Sequence, residues 1–141
     1  MKRFVRLVCL LLVFASLATI PAYAAENSTR ASAYLTGYRA YCSKASSTSI
    51  AVSYQVIGTG MMDEIGANKI KVQYSTDKTN WTTAKTFYKS TTPSIVDHNT
   101  SAHGGVVYAT VPSGKYYRAY VEFYAEKDGG SSERYYYTAI I

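Results

Sequence analysis

The sequence predicts an all-β domain, an antiparallel sandwich of about seven short strands over residues 33–141. Three observations carry that class. Tyr, Val, Ile and Thr, which fit a pleated, half-buried surface, crowd the chain after residue 33. Apolar and polar residues alternate there, and nowhere do apolar residues recur at i, i+3, i+4 and i+7 for long enough to make a helix. Clusters of Gly, Pro, Asn and Asp interrupt the alternation at spacings that suit hairpins and loops.

The elements follow in order. Residues 33–43 place Tyr38, Ala40 and Cys42 on one side and Arg39 on the other. Residues 49–57 alternate more cleanly, with Ile50, Val52, Tyr54 and Val56 inward and Ser53 and Gln55 outward. Gly58-Thr59-Gly60 is expected to break that strand. Residues 69–75 set Ile70, Val72 and Tyr74 against Lys69, Lys71 and Gln73. A turn at 76–80 leads into a strand at 81–88. The stretch 89–105, with Pro93, Asp97, His98, Asn99 and His103, reads as irregular. Residues 106–111 form a strand ended by Pro112-Ser113-Gly114. The best pattern lies at 116–125, where Tyr117, Ala119, Val121, Phe123 and Ala125 alternate with Tyr116, Arg118, Tyr120, Glu122 and Tyr124. A hairpin loop at 127–132 returns the chain into a last strand at 134–140. That count and spacing match an immunoglobulin-like sandwich.

Before residue 33 the chain reads as a targeting segment and a tail. Lys2, Arg3 and Arg6 precede an apolar run at 7–20, and Pro21-Ala22-Tyr23-Ala24 offers the small residues a signal peptidase reads. We expect a cleaved signal peptide at 1–24 and a flexible tail at 25–32. The apolar run is too short to span a bilayer comfortably, and Cys9 lies within it rather than at the cleavage point, which argues against a lipid anchor. The expectation is a secreted, extracellular domain with no transmembrane segment in the mature chain. Three of the 15 basic residues leave with the leader, so 12 remain against 9 acidic ones, a net +3 rather than +6. A balance that modest argues against a dedicated nucleic-acid binder, and no nucleic-acid partner is expected. Cys9 leaves as well, so Cys42 has no partner and no disulfide is expected. Three Asn-x-Ser/Thr triplets, at Asn27, Asn80 and Asn99, read as products of Asn-, Ser- and Thr-rich loops and matter only in a host that glycosylates exported chains.

Val111-Pro112-Ser113-Gly114-Lys115-Tyr116-Tyr117-Arg118-Ala119-Tyr120-Val121 resembles the corner between strands E and F of fibronectin type III domains. There a Pro-Gly turn precedes a tyrosine whose hydroxyl reaches back to the backbone. The resemblance implies that corner role for Tyr117. Lys71-Val72-Gln73-Tyr74-Ser75 is similar to strand C of the same family, although the turn here is one residue longer and the core Trp of strand B is missing. The whole chain also looks like small secreted bacterial proteins grouped as a domain of unknown function. Ser75-Thr76-Asp77-Lys78-Thr79-Asn80-Trp81 is similar to the Asp-box hairpin of sialidases, a structural turn, with its Gly absent and its Trp one residue early. It implies that Asp77 is a turn residue and Trp81 a packed anchor.

Few residues point to catalysis. Cys42 and a histidine could make a nucleophile and base, but Cys42 shares the inward phase of Tyr38 and Ala40, and no neighbouring charge would lower its pKa. A buried, inert thiol is expected. Asp97, His98 and His103 share one stretch, yet Asp-His-x4-His is no known ligand spacing, so no metal or other cofactor is expected. The carboxylates mostly flank turns and give no facing pair of the kind glycoside hydrolysis needs.

The tyrosines stand out: 14 of the 15 remain after cleavage. Tyr120, Tyr124 and Tyr136 have the phase of outward residues, and outward rings either cover a sheet or contact a partner. In an immunoglobulin-like sandwich the strand of Lys69, Lys71 and Gln73 pairs with that of Arg118, Tyr120, Glu122 and Tyr124, which also pairs with the last strand, so cations and phenol rings are expected to form one surface. We therefore expect a monomeric, non-catalytic interaction module that binds an extracellular protein, surface polymer or glycan through Lys69, Lys71, Arg118, Tyr120, Glu122 and Tyr124. The alternative is a small secreted effector, a bacteriocin-like antagonist acting on a competitor's envelope.

Overall fold

The structure, a computed structural model, describes residues 33–141; the expected leader at 1–24 and tail at 25–32 lie outside the described residues. Six antiparallel strands follow one another: β1 (Leu35–Ser46), β2 (Ser49–Ser75), β3 (Thr82–Tyr88), β4 (Val96–Thr110), β5 (Tyr116–Lys127) and β6 (Gly130–Tyr137). One turn of 3-10 helix at Pro93–Ile95 precedes β4. Among the described residues no helix is long and apolar enough to cross a membrane. The strands form one sheet that curls into a half-barrel.

The curl comes from β2, which is 27 residues long and is shared by both ends of the sheet. Its first part pairs with β1 on one side and β4 on the other. Its last part pairs with β3 and β5, and β5 carries β6 at its far edge. The sequence suggests two strands separated at Gly58-Thr59-Gly60; the structure has one continuous strand there. Residues 58–61 bulge opposite Ser101 alone, between the pairs Ile57↔Ala102 and Met62↔Thr100. The bulge bends the strand without ending it, because glycines absorb a bend that a branched residue would resist. Fusing two expected strands takes the count from about seven to six.

A second correction falls at 89–105, which forms β4 over most of its length rather than an irregular loop. Two local features make this possible. Asn99 takes a left-handed φ of 51° where β4 bends opposite the β2 bulge. Ile95, fully buried, seats the 3-10 turn beneath β2. The turn at 128–129 is also tighter than the six-residue loop expected. Asp128 and Gly129 both adopt positive φ, 51° and 77°, and close the β5–β6 hairpin in two residues.

The concave side of the curl is the core. Ile50, Val52 and Val56 of early β2, Ile70 and Val72 of late β2, and Val121 and Phe123 of β5 are fully buried. Each such side chain contributes about 1.5–3 kcal/mol relative to exposure. Tyr38 of β1 closes the interior against Phe123 and Tyr136, with ring centroids 5.4 and 6.3 Å apart. The chain end stays tied in: Tyr117 and Ile141 exchange backbone hydrogen bonds at 3.0 Å in both directions.

At the corner before β5, Tyr117 is 1% exposed, and its hydroxyl donates to the Pro112 carbonyl at 2.5 Å. The same oxygen accepts the Lys115 N–H at 3.3 Å. The 76–80 turn is organised by Asp77, whose carboxylate accepts the backbone N–H groups of Thr79 and Asn80 at 2.8 and 2.7 Å. Those bonds, with Ser75 and the Asn80 amide, hold its carboxyl well below the usual carboxylate range.

Candidate functional site: the outward face of β3, β2, β5 and β6

Strand pairing sets which outward side chains meet. Late β2 lies beside β5 with Lys69↔Glu122, Lys71↔Tyr120 and Gln73↔Arg118 as partners. On the far side, β6 sets Tyr137 opposite Tyr120 and Tyr135 opposite Glu122. Opposite residues of an antiparallel pair share a face, so these side chains form rows across one convex surface. The structure thus brings Lys69, Lys71, Gln73, Arg118, Tyr120 and Glu122 together.

Each row has its own chemistry. In the first, Lys69 Nζ lies 2.8 Å from Glu122, and the hydrogen bond to Glu122 raises the lysine pKa. In the second, Lys71 Nζ sits 5.4 Å from the Tyr120 ring centroid, and Tyr120 meets Tyr137 at 4.8 Å. Tyr120 also stacks on Tyr135 at 6.2 Å, the planes only 9° apart. Its hydroxyl donates to Glu122 at 3.1 Å. Burial, then the proximity of Glu122, pushes the phenol well above its ordinary pKa, so it is a donor at any physiological pH. In the third row the Arg118 guanidinium carbon lies 4.2 Å from the Trp81 ring centroid and 4.6 Å from that of Tyr137. Its Nε donates to Gln73 Oε1 at 2.9 Å. At the start of β5, Lys78 sits 4.4 Å from the centroid of Tyr116.

Tyr124 departs from the expectation. It keeps the outward phase but is only 9% exposed. Lys89 covers its ring at 4.1 Å and reaches Glu64 at 2.5 Å, while the Tyr124 hydroxyl donates to Glu126. A side chain roofed in this way offers little to a partner. Tyr136 also departs: it lies opposite Val121 and packs inward against the core. Its neighbours Tyr135 and Tyr137 take the outward places, 60% and 55% exposed. The sequence reading missed these two and the part Trp81 plays beside Arg118. In Tyr135-Tyr136-Tyr137 every position is aromatic, so alternation gives no phase. Only the two-residue Asp128-Gly129 turn fixes which tyrosine opposes Tyr120.

The remaining chemistry-bearing residues lie elsewhere. Cys42 is free and buried on β1, where burial raises its thiol pKa, and its polar neighbour is the Thr138 hydroxyl at 3.4 Å. His103 faces the Tyr54 hydroxyl at 3.2 Å and Asp97 at 4.0 Å. His98 instead turns toward Glu64 at 3.8 Å and the Asp63 carbonyl at 3.2 Å. The two imidazoles therefore serve different neighbours. Among the described residues no group of three or more His, Cys, Asp or Glu is arranged to hold a metal ion.

Comparison with known protein families, curated proteins and solved structures finds no match.

Proposed function

We propose that the domain is an immunoglobulin-like, fibronectin type III-like sandwich, exported by the leader at 1–24, that acts as an extracellular binding module through the outward face of β3, β2, β5 and β6. The fold assignment is supported by the Tyr117–Pro112 hydrogen bond, the geometry such corner tyrosines adopt. The observation that carries the binding reading is the exposure of Tyr135 and Tyr137 close to Lys71 and Arg118, two cations already seated against rings. Rigid amphipathic phenols give contact area at low entropic cost, and Lys71 and Arg118 beside them steer acidic partners. A convex sheet face suits a polymer or a protein edge rather than an enclosed small molecule.

The test is capture of a partner from the producer's surface and secreted fractions by the mature chain. Tyr135→Ser combined with Tyr137→Ser should abolish capture while the unfolding midpoint stays near that of the parent, since both rings are more than half exposed. Full-strength capture by the folded double variant would show that the rings only cover the sheet. Killing of competing cells by the purified chain, with nothing captured, would replace this reading with a secreted antagonist.

A further inference from the structure

Arg118 is oriented on three sides and has a free edge. Trp81 and Tyr137 lie against its guanidinium at 4.2 and 4.6 Å, and Gln73 takes its Nε proton. Among the described residues no carboxylate lies within ion-pair distance of it, and its two Nη groups have no hydrogen-bond partner. Stacking and one hydrogen bond to an amide fix the guanidinium without neutralising its charge. Here the long side chain is ordered by neutral groups, so the entropy of fixing a rotamer-rich residue is lost before any ligand arrives. The guanidinium edge is the part that binds planar oxyanions with two parallel N–H bonds. Lys71, one row away, likewise has a ring beneath it and no carboxylate.

The groups around this fork restrict what it can take. Glu122 lies in the row beyond Tyr120, and Glu133 accepts the Tyr135 hydroxyl at 3.1 Å. Glu122 offsets Lys69 at 2.8 Å and Glu133 adds a further negative charge, so the face has too few uncompensated cations for a ligand that carries a negative charge on every repeat, as nucleic acid does. Both carboxylates are also hydrogen-bond acceptors suited to hydroxyl groups. The exposed faces of Tyr135 and Tyr137 fit the flat C–H face of a pyranose ring, and their own hydroxyls add polar contacts at the rim. Rings for sugar faces, acceptors for sugar hydroxyls and one preorganised fork for an oxyanion occur together on an open surface.

We propose that the ligand of this face is an acidic polysaccharide, a chain of pyranoses with sparse carboxylates, and that Arg118 is the residue that binds its carboxylate. The proposal rests on the binding reading above and names its ligand class.

The mature chain is titrated with hyaluronate and gellan, in which only some of the sugars carry a carboxylate, beside dextran as a neutral polysaccharide and polyglutamate as a polyanion without sugar. Retention by at least one acidic polysaccharide is expected, with dextran and polyglutamate bound at least about tenfold more weakly. Arg118→Lys keeps the charge but removes the fork and its stacking, and should weaken that binding about tenfold. If that variant does not fold, Tyr137→Leu removes one wall of the clamp at an exposed position and should give a loss in the same direction. Equal binding of polyglutamate or dextran overturns the proposal, as does undiminished binding by folded Arg118→Lys. Failure to bind any acidic polysaccharide overturns the ligand class alone if partner capture still requires Tyr135 and Tyr137. Undiminished capture without them removes the binding reading itself.

Discussion

A Cβ at Gly66 would lie 2.2 Å from the carbonyl oxygen of Ile95 and 2.6 Å from Cα of Val96. Gly66 sits on β2 at the point where Ile65 pairs with both Asp97 of β4 and Ala125 of β5. Three backbones therefore converge there, and the close approach is what allows Ile95 to seat in the core.

Gly66→Ala should be among the most damaging single substitutions in the domain. The overlapping atoms are backbone, so no side-chain rotation relieves the contact, and φ at this position is +156°, which L-residues rarely adopt. A loss on the order of 3 kcal/mol is expected, with a fall in thermal midpoint of about 10 °C or more. Gly60→Ala is the control. Nothing lies within 4 Å of a Cβ there, so its cost should stay within about 0.5 kcal/mol. Equal midpoints for the two variants would show that β2 and β4 are not this close.

The same region marks the limit of what the sequence conveys about the fold. Ile50, Val52, Tyr54 and Val56 alternate with the smaller or polar Ala51, Ser53 and Gln55, and period-two alternation gives their inward direction correctly. The all-β class and the β5 pattern were legible for the same reason. Gly58-Thr59-Gly60 was not, because glycine permits both a strand end and a bulge, and the choice depends on a partner distant in sequence. Residues 96–105 hide their strand character in polar side chains, since most of that part of β4 faces solvent on both sides. On the candidate face, patterning gives the outward residues of the Lys69–Gln73 and Arg118–Tyr124 strands, whereas their pairing was expected from an immunoglobulin-like strand order and not from alternation. The roof of Lys89 over Tyr124 does not, because it depends on how the chain leaves β3.

Tyr117 offers a test of the corner. Tyr117→Phe leaves the ring in the core and deletes one oxygen, which bonds Pro112 and Lys115. About 1–2 kcal/mol should be lost, because a turn carbonyl and a turn N–H both lose their partner. In urea the unfolding midpoint should fall with an unchanged slope, the mark of a loss in stability without a change in the surface exposed. A midpoint equal to the parent's would mean that the backbone alone holds the corner.

Cys42 should be slow to alkylate. The thiol is buried between β1 and the chain end, where Thr138 reaches it at 3.4 Å while accepting the Ala119 N–H at 2.9 Å. Burial raises its pKa, so little thiolate exists at neutral pH, and the thiolate is the reactive form. Mass spectrometry after iodoacetamide should find the native chain unlabelled over a time in which the denatured chain reacts fully. Cys42→Ala should cost on the order of 1 kcal/mol and leave partner capture intact. Rapid native labelling would place the thiol at the surface.

Tyr54 links stability to alkaline pH. Its hydroxyl lies 3.2 Å from His103 Nε2, and burial pushes its pKa up to about 12. Gly105 makes the position possible, since a Cβ there would come 2.8 Å from the Tyr54 oxygen. In the unfolded chain the phenol titrates near its ordinary value of about 10. The folded state therefore holds this proton more tightly. Its contribution is complete below about pH 10, and falls between about pH 10 and 12 as the unfolded chain ionises first. Chemical denaturation at a series of pH values from about 9 to 11.5 should show a steep loss of stability. Other tyrosines add to that loss, so Tyr54→Phe isolates the one that matters. The variant should be less stable than the parent at pH 9, because it gives up the bond to His103, and the gap should narrow as pH rises. Parallel curves would show that Tyr54 ionises equally readily in both states.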